Sequence, residues 1–177
     1  VPAGQTKDYV FGYTILNDVS ARDVQTAHKQ WYFGKSLDGF TPMGPCIVTA
    51  DEFDTYPPAL PIRSRVNGEL RQDSNTKLQI FDIDHVIHEL SQGMTLKAGT
   101  IIATGTPAGV GMGMDPPQFL RPGDTVQCEI EGIGTLTNTC LLYTSPCGTA
   151  QNFTQISVRL HEMPPQYCSF AEKYGIL

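Results

Sequence analysis

Residues 62–72, IRSRVNGELRQ, decide the fold class. Asn67-Gly68 sits between two strand-like arms, and a two-residue type I′ turn needs positive φ at both central positions, which Asn and Gly tolerate best. An antiparallel hairpin is expected here. Working outward, residues 124–140 (DTVQCEIEGIGTLTNTC) alternate as two strands around Gly132 and Gly134, and residues 100–113 (TIIATGTPAGVGMG) read as a buried strand entering a glycine-rich loop. Residues 9–16 (YVFGYTIL) have strand composition, and a further apolar stretch, Cys46 to Thr49, precedes the breakers Pro57, Pro58 and Pro61. Only two segments carry helical signals within this part. Asn17 or Asp18 caps one helix, with Val19, Ala21, Val24 and Ala27 as its buried side; Asp84 and Gly93 bracket another, with Val86, Ile87 and Leu90 inward. Short strands without βαβ alternation or internal repeats predict a mainly β (α+β) fold, a roll or sandwich with a few short helices. The expected organisation is one domain over residues 1–140 and a divergent tail over 141–177. In that tail QISVRL (155–160) reads as a strand and FAEKYGIL (170–177) as a terminal helix.

Composition limits the function classes. A chain of 177 residues, 40% hydrophobic and 17% charged, supports one sizeable core. Net charge is −6 and no Lys/Arg cluster interrupts it, so no nucleic-acid partner is expected. The five cysteines, Cys46, Cys128, Cys140, Cys147 and Cys168, form no CxxC pair, and an odd number leaves one unpaired. That suits a reducing compartment, so the expectation is cytoplasmic, with mitochondrial as the alternative. No apolar run reaches bilayer-crossing length, so no membrane partner is expected, and the opening VPAGQTKDY lacks signal-peptide character. The absence of an initial Met suggests a missing or cleaved front end.

Three blocks carry the candidate chemistry: Asn17-Asp18-Val19-Ser20-Ala21-Arg22-Asp23-Val24-Gln25, then Gly34-Lys35-Ser36, then Gly105-Thr106-Pro107-Ala108-Gly109-Val110-Gly111. Singly, each has an ordinary reading. Asp18 caps a helix, Arg22 and Asp23 form a solvated pair, Gln25 and Lys35 are surface residues, and the glycine loop is a turn after a strand. That loop lacks the Gly-Lys-Ser/Thr ending of a phosphate-binding P-loop. His85 and His88 are three apart on a helix, but no third zinc ligand with suitable spacing accompanies them. His28 is a minor candidate because imidazole titrates near neutrality. The cysteines read as small core residues, Cys46 and Cys128 above all.

Together, in this order and spacing, the three blocks resemble the fumarylacetoacetate hydrolase (FAH) family. VNGELRQ (66–72), a strand ending at Phe81 and PGDTVQCEIEGIG (122–134) extend the resemblance over residues 9–140, closest to the small members acting on oxaloacetate, acylpyruvates and related keto acids. It implies an FAH-type mixed β-sandwich roll, a homodimer, and a divalent ion, Mg²⁺ or else Mn²⁺ or Ca²⁺, holding a keto or diketo acid. By the same resemblance Asp18 is a catalytic and metal-binding carboxylate, Lys35 a catalytic lysine beside the metal, and Arg22 and Gln25 contact the acid. Thr106 and Gly105 belong to the ligand-binding loop.

The implied set is chemically coherent. Asp18, Arg22 and Gln25 share one helical side if a helix starts at Asp18. A guanidinium fork suits a carboxylate, and positive charge near the keto oxygen stabilises an enolate. One enolate serves C–C bond hydrolysis, the first expectation, and also decarboxylation and keto–enol tautomerisation. The family also supplies a Glu-x-Glu ligand pair upstream of Asp18 and acid–base residues on a lid, neither found in these residues. Glu129-Ile130-Glu131 has the form of that pair but lies in a terminal hairpin where relatives do not use it. Two alternatives stay open: a fragment or processed form of a complete enzyme, or a shortened metal-free relative serving as an isomerase or a binding and dimerisation module.

Overall fold

A computed structural model of the protein describes residues 1–27, 29–143 and 153–157. Among these residues seven strands form two antiparallel sheets. β1 (Gly12–Leu16) pairs with β2 (Met43–Thr49). The larger sheet runs β4-β3-β5-β6-β7, comprising β3 (Pro61–Val66), β4 (Glu69–Asn75), β5 (Thr125–Ile130), β6 (Gly134–Tyr143) and β7 (Phe153–Ser157). Two short helices, α1 (Arg22–Ala27) and α2 (Ile83–Gly93), and several 3₁₀ turns complete the described part. The fold is the mainly β arrangement expected, and no described helix is long and apolar enough to cross a membrane.

The expected hairpin closes β3 onto β4 with Asn67 at φ +52° and Gly68 at φ +84°, the two positive values a type I′ turn requires. Period-two alternation then sets the core. Val126 on β5 and Leu136, Asn138 and Cys140 on β6 point inward and are buried. The small sheet packs on this face, β2 against β6 and β1 against β5 and β6. Ile15, Ile133 and Leu136 form one buried cluster; Val19, Val126 and Cys140 form another, flanked by Phe40, Val66 and Leu120.

The structure departs from the sequence reading at several places. α1 begins at Arg22, so neither Asn17 nor Asp18 caps it. The Asn17 amide instead donates to buried Asn138 Oδ1 at 3.1 Å and its backbone N–H to Pro42 O at 3.0 Å, while Val19 enters the core at 6% exposure. Those tertiary bonds outcompete the local cap. The cap of α2 is Asp82, whose Oδ1 accepts from His85 N–H at 2.8 Å; Asp84, two residues later, holds Gly4 N–H at 2.7 Å and the Thr6 hydroxyl at 2.6 Å. No strand forms over residues 100–105 or up to Phe81; Ile101 is 59% exposed and Ile80 92%. A strand needs a ladder partner, and β4 meets the 106–118 loop through side chains instead. Cys46 is exposed, not a core residue, whereas Cys140 is fully buried. Of the tail, residues 155–157 lie in β7, paired with β6, while the expected terminal helix, His28, Cys147 and Cys168 lie outside the described residues.

Candidate active site

The turn after β1 is pinned to the sheet by Val19 and Asn17, which leaves Asp18 at the surface between two anchors. Opposite it, the 3₁₀ turn Phe33–Lys35 presents Lys35. The Lys35 ammonium forms an ion pair with Asp18 Oδ2 and donates to Ser20 Oγ at 3.1 Å. Ser20 in turn donates its hydroxyl hydrogen to the Asp18 carbonyl at 3.1 Å, so its oxygen is free to accept from Lys35. The Lys35 carbonyl accepts from Thr41 Oγ1 at 3.0 Å, fixing the backbone beneath the ammonium. Lys35 is thus a half-buried, doubly held cation rather than a freely solvated lysine.

α1 packs directly on this turn because residue 34 has no side chain. A Cβ at Gly34 would lie 2.8 Å from both Cβ and N of Gln25 and 2.9 Å from the Ala21 carbonyl, whereas the real backbone lets Ala21 N–H donate to Gly34 O at 2.8 Å. Gln25, expected at the surface in its ordinary reading, is buried to 5% exposure, and its Oε1 accepts from Arg22 Nη1 at 2.9 Å. Arg22 and Gln25 do share a helical side. Asp18 does not, since the helix starts four residues after it; it joins the group through Lys35.

Thr106 and Gly105 belong to a second assembly. Gly105 adopts φ +100°, and exposed Thr106 accepts from Gln72 Nε2 of β4 at 2.8 Å. Gly109, at φ +106°, lies so close to β4 that a Cβ would fall 2.1 Å from the Arg71 carbonyl. Arg71 reaches over the loop to Met114 Sδ at 3.0 Å and to Gln118 Oε1. Among the described residues no hydrogen bond or ion pair joins this loop to the Asp18–Lys35 pair. Sequence reasoning missed Ser20, Arg71 and Gln72. Polar residues within a hairpin arm were the available signal for the last two.

Both helical histidines make contacts within the chain. His85 stacks on Phe81 with ring centroids 4.7 Å apart, and His88 Nδ1 lies 2.8 Å from the Val1 carbonyl. Among the described residues no three His, Cys, Asp or Glu side chains gather where an ion can be held. A hard divalent cation takes six or more oxygens, and Mg²⁺ commonly takes one or two of them from carboxylates and the rest from water and substrate. Asp18 offers one carboxylate, already engaged by Lys35. Among the described residues Asp18 therefore stands without the Glu-x-Glu partners that the resemblance places upstream of it. A shallow groove of about 90 Å³, lined by Arg63, Arg65, Gln127, Glu129 and Thr135, includes none of the candidate residues.

The family model described as fumarylacetoacetate (FAA) hydrolase C-terminal matches residues 1–141. The chain belongs to the fumarylacetoacetate hydrolase family. Among its FAH relatives, oxaloacetate tautomerase YisK of Bacillus subtilis is 55% identical over 131 residues, which is 74% of this chain and 43% of that protein. The solved structure of a fumarylacetoacetate hydrolase from Exiguobacterium antarcticum is 53% identical with TM-score 0.75, covering 78% of this chain and 50% of that one. A 5-carboxymethyl-2-hydroxymuconate delta-isomerase from Mycobacterium smegmatis is 47% identical with TM-score 0.68, covering 77% and 50%. The chain spans about half the length of these FAH relatives.

Proposed function

We propose that the protein carrying this chain is a keto-acid tautomerase or isomerase that works by stabilising an enolate, with Lys35 and Asp18 at its catalytic centre. The observation carrying this reading is the Lys35 ammonium, held between the Asp18 carboxylate and the Ser20 hydroxyl on a turn whose Gly34 packs against Gln25 of α1. When a C–H bond next to a ketone breaks, negative charge collects on the ketone oxygen. A cation already fixed at that point stabilises the transition state without reorganising, an effect of about 3–4 kcal/mol for a single well-placed donor. Arg22, oriented by Gln25, grips a substrate carboxylate in a forked contact. Thr106 and Gly105 contribute the ligand-facing loop. The printed activities of YisK and of the mycobacterial isomerase support this direction. Hydrolytic C–C cleavage is the second reading, favoured by the name of the Exiguobacterium relative. Exposed Trp31, Tyr32, Leu78 and Ile80 support assembly as a homodimer.

The test uses the full-length protein and its Lys35→Ala and Lys35→Arg variants. Enol-to-keto conversion of oxaloacetate is followed by ultraviolet absorbance and acylpyruvate cleavage by product analysis. Lys35→Ala is expected to lower tautomerisation at least a hundredfold, with partial recovery in Lys35→Arg. Unchanged turnover in Lys35→Ala removes Lys35 from the mechanism. Acylpyruvate cleavage that outpaces tautomerisation installs the hydrolytic reading instead. Inertness of the parent protein towards both substrates, with and without Mg²⁺, leaves a binding or dimerisation module. Loss of turnover in chelator, restored by Mg²⁺, supports a divalent cofactor.

A further inference from the structure

Gln72 bridges the large sheet and the glycine loop, and proton counting fixes the direction of each bond around it. The Pro107 carbonyl oxygen can only accept, so the Gln72 atom 2.8 Å from it is the amide nitrogen, Nε2. That nitrogen also lies 2.8 Å from Thr106 Oγ1 and carries two hydrogens, one for each partner. On the other side the amide oxygen lies 2.8 Å from Ser64 Oγ, so the buried Ser64 hydroxyl donates to it. Turning the amide round would set its oxygen against the Pro107 carbonyl. Thr106 therefore receives a hydrogen from Gln72 and keeps its own. Among the described residues that hydrogen has no acceptor, and Thr106 is exposed.

We infer that Ser64 and Gln72 form a relay that directs the Thr106 hydroxyl hydrogen outward, so that the loop favours ligands presenting a bare acceptor oxygen, a carboxylate or an enolate. The inference rests on the proposed role of Thr106 in ligand binding. Gln72 and Ser64 are positioning residues: they act through Thr106 and touch no ligand. The relay also accounts for a buried serine on β3 facing a glutamine on β4, two polar residues where apolar ones pack more readily.

The test is a double-mutant cycle on oxalate affinity, measured by calorimetry on the full-length protein at constant Mg²⁺. Oxalate at neutral pH offers only acceptor oxygens. Thr106→Val is expected to weaken binding about tenfold, and Thr106→Ser to stay within about twofold of the parent. Gln72→Met is expected to weaken binding about threefold in the Thr106 protein and to cause no further loss in the Thr106→Val background. Ser64→Ala, a milder cut in the same relay, follows the same pattern with a smaller loss and serves if Gln72→Met does not fold. Equal losses in both backgrounds mean that Gln72 merely holds the loop, which overturns the relay while Thr106 stands. Unchanged affinity in Thr106→Val overturns the ligand role of Thr106, and the relay with it.

Discussion

Replacing Gly34 by alanine tests whether packing of α1 on the lysine turn sets the site. The added Cβ lies 2.8 Å from the Gln25 Cβ, 2.8 Å from the Gln25 nitrogen and 2.9 Å from the Ala21 carbonyl oxygen. The carbon–carbon contact is roughly 0.7 Å inside the ~3.5 Å separation at which carbon atoms pack. Two of the three neighbours are backbone atoms, so no side-chain rotation relieves the overlap, and the helix and the turn must separate by a comparable distance. Overpacking of this kind costs about 1–3 kcal/mol, which for a chain of this size lowers Tm by about 2–12 °C. The same separation carries Lys35 away from Arg22, and a displacement approaching 1 Å costs about tenfold to a hundredfold in turnover. Gly68→Ala is the control. Its Cβ meets nothing within 4 Å, so it costs stability only through φ +84°, about 1–2 kcal/mol, and leaves turnover intact. Thermal melts and oxaloacetate tautomerisation rates for both variants decide the matter. A Gly34→Ala protein that melts and turns over like the parent refutes the packing argument. One that melts lower but turns over normally shows that the α1 contact supports the fold without setting the geometry.

Three further outcomes follow from the structure. Gly109→Ala is expected to destabilise by about 3 kcal/mol or more, because its Cβ meets the Arg71 carbonyl at 2.1 Å as well as requiring φ +106°, whereas Gly105→Ala, with φ +100° and open space, carries only the backbone strain of about 1–2 kcal/mol; urea titrations of the two variants compare them directly. The Thr6 hydroxyl and the Gly4 N–H hold Asp84 below its ordinary 3.8. Because the folded-state value is depressed, this contribution is fully present above the unfolded value and is lost as pH falls through the lower folded one; protection of the Gly4 amide relative to its intrinsic exchange rate should fall in that acidic window, and Asp84→Asn should abolish this pH dependence. Burial pushes the Cys128 and Cys140 thiols up to about 11, so both remain protonated and unreactive at pH 8, while exposed Cys46 alkylates; peptide mapping of these three sites after iodoacetamide reads this out, and prompt labelling of Cys140 contradicts its burial.

How much of this was legible in the sequence depends on the range of the forces involved. The Asn67-Gly68 turn was, because its cause is local: two adjacent residues that tolerate positive φ. The β5–β6 alternation was, since a period of two survives wherever one face is buried. The start of α1 was not. A local cap at Asn17 or Asp18 competes with a bond from Asn17 to Asn138, 121 residues away, and no window of neighbouring residues contains that competitor. The absent strand near Ile101 failed for a related reason, because apolar composition reports affinity for a buried surface and says nothing about whether a ladder partner exists.

The site divides along the same line. Resemblance selected Asp18, Arg22, Gln25, Lys35, Thr106 and Gly105, and three of these six lie around one packing junction: Arg22 on Gln25, and Gln25 against the residue that precedes Lys35. Asp18 enters by a different route from the one helical spacing implied. Its carboxylate meets Lys35, 17 residues on, and together they form a neutral pair rather than an open anionic ligand. An ion competing for Asp18 must therefore displace the Lys35 ammonium or share the carboxylate with it, and sharing requires further oxygens from outside the described residues. Lys35→Met distinguishes the two. If the ammonium competes, removing it tightens Mg²⁺ binding in the full-length protein even as turnover falls; if the carboxylate is shared, Mg²⁺ affinity changes little and only turnover is lost.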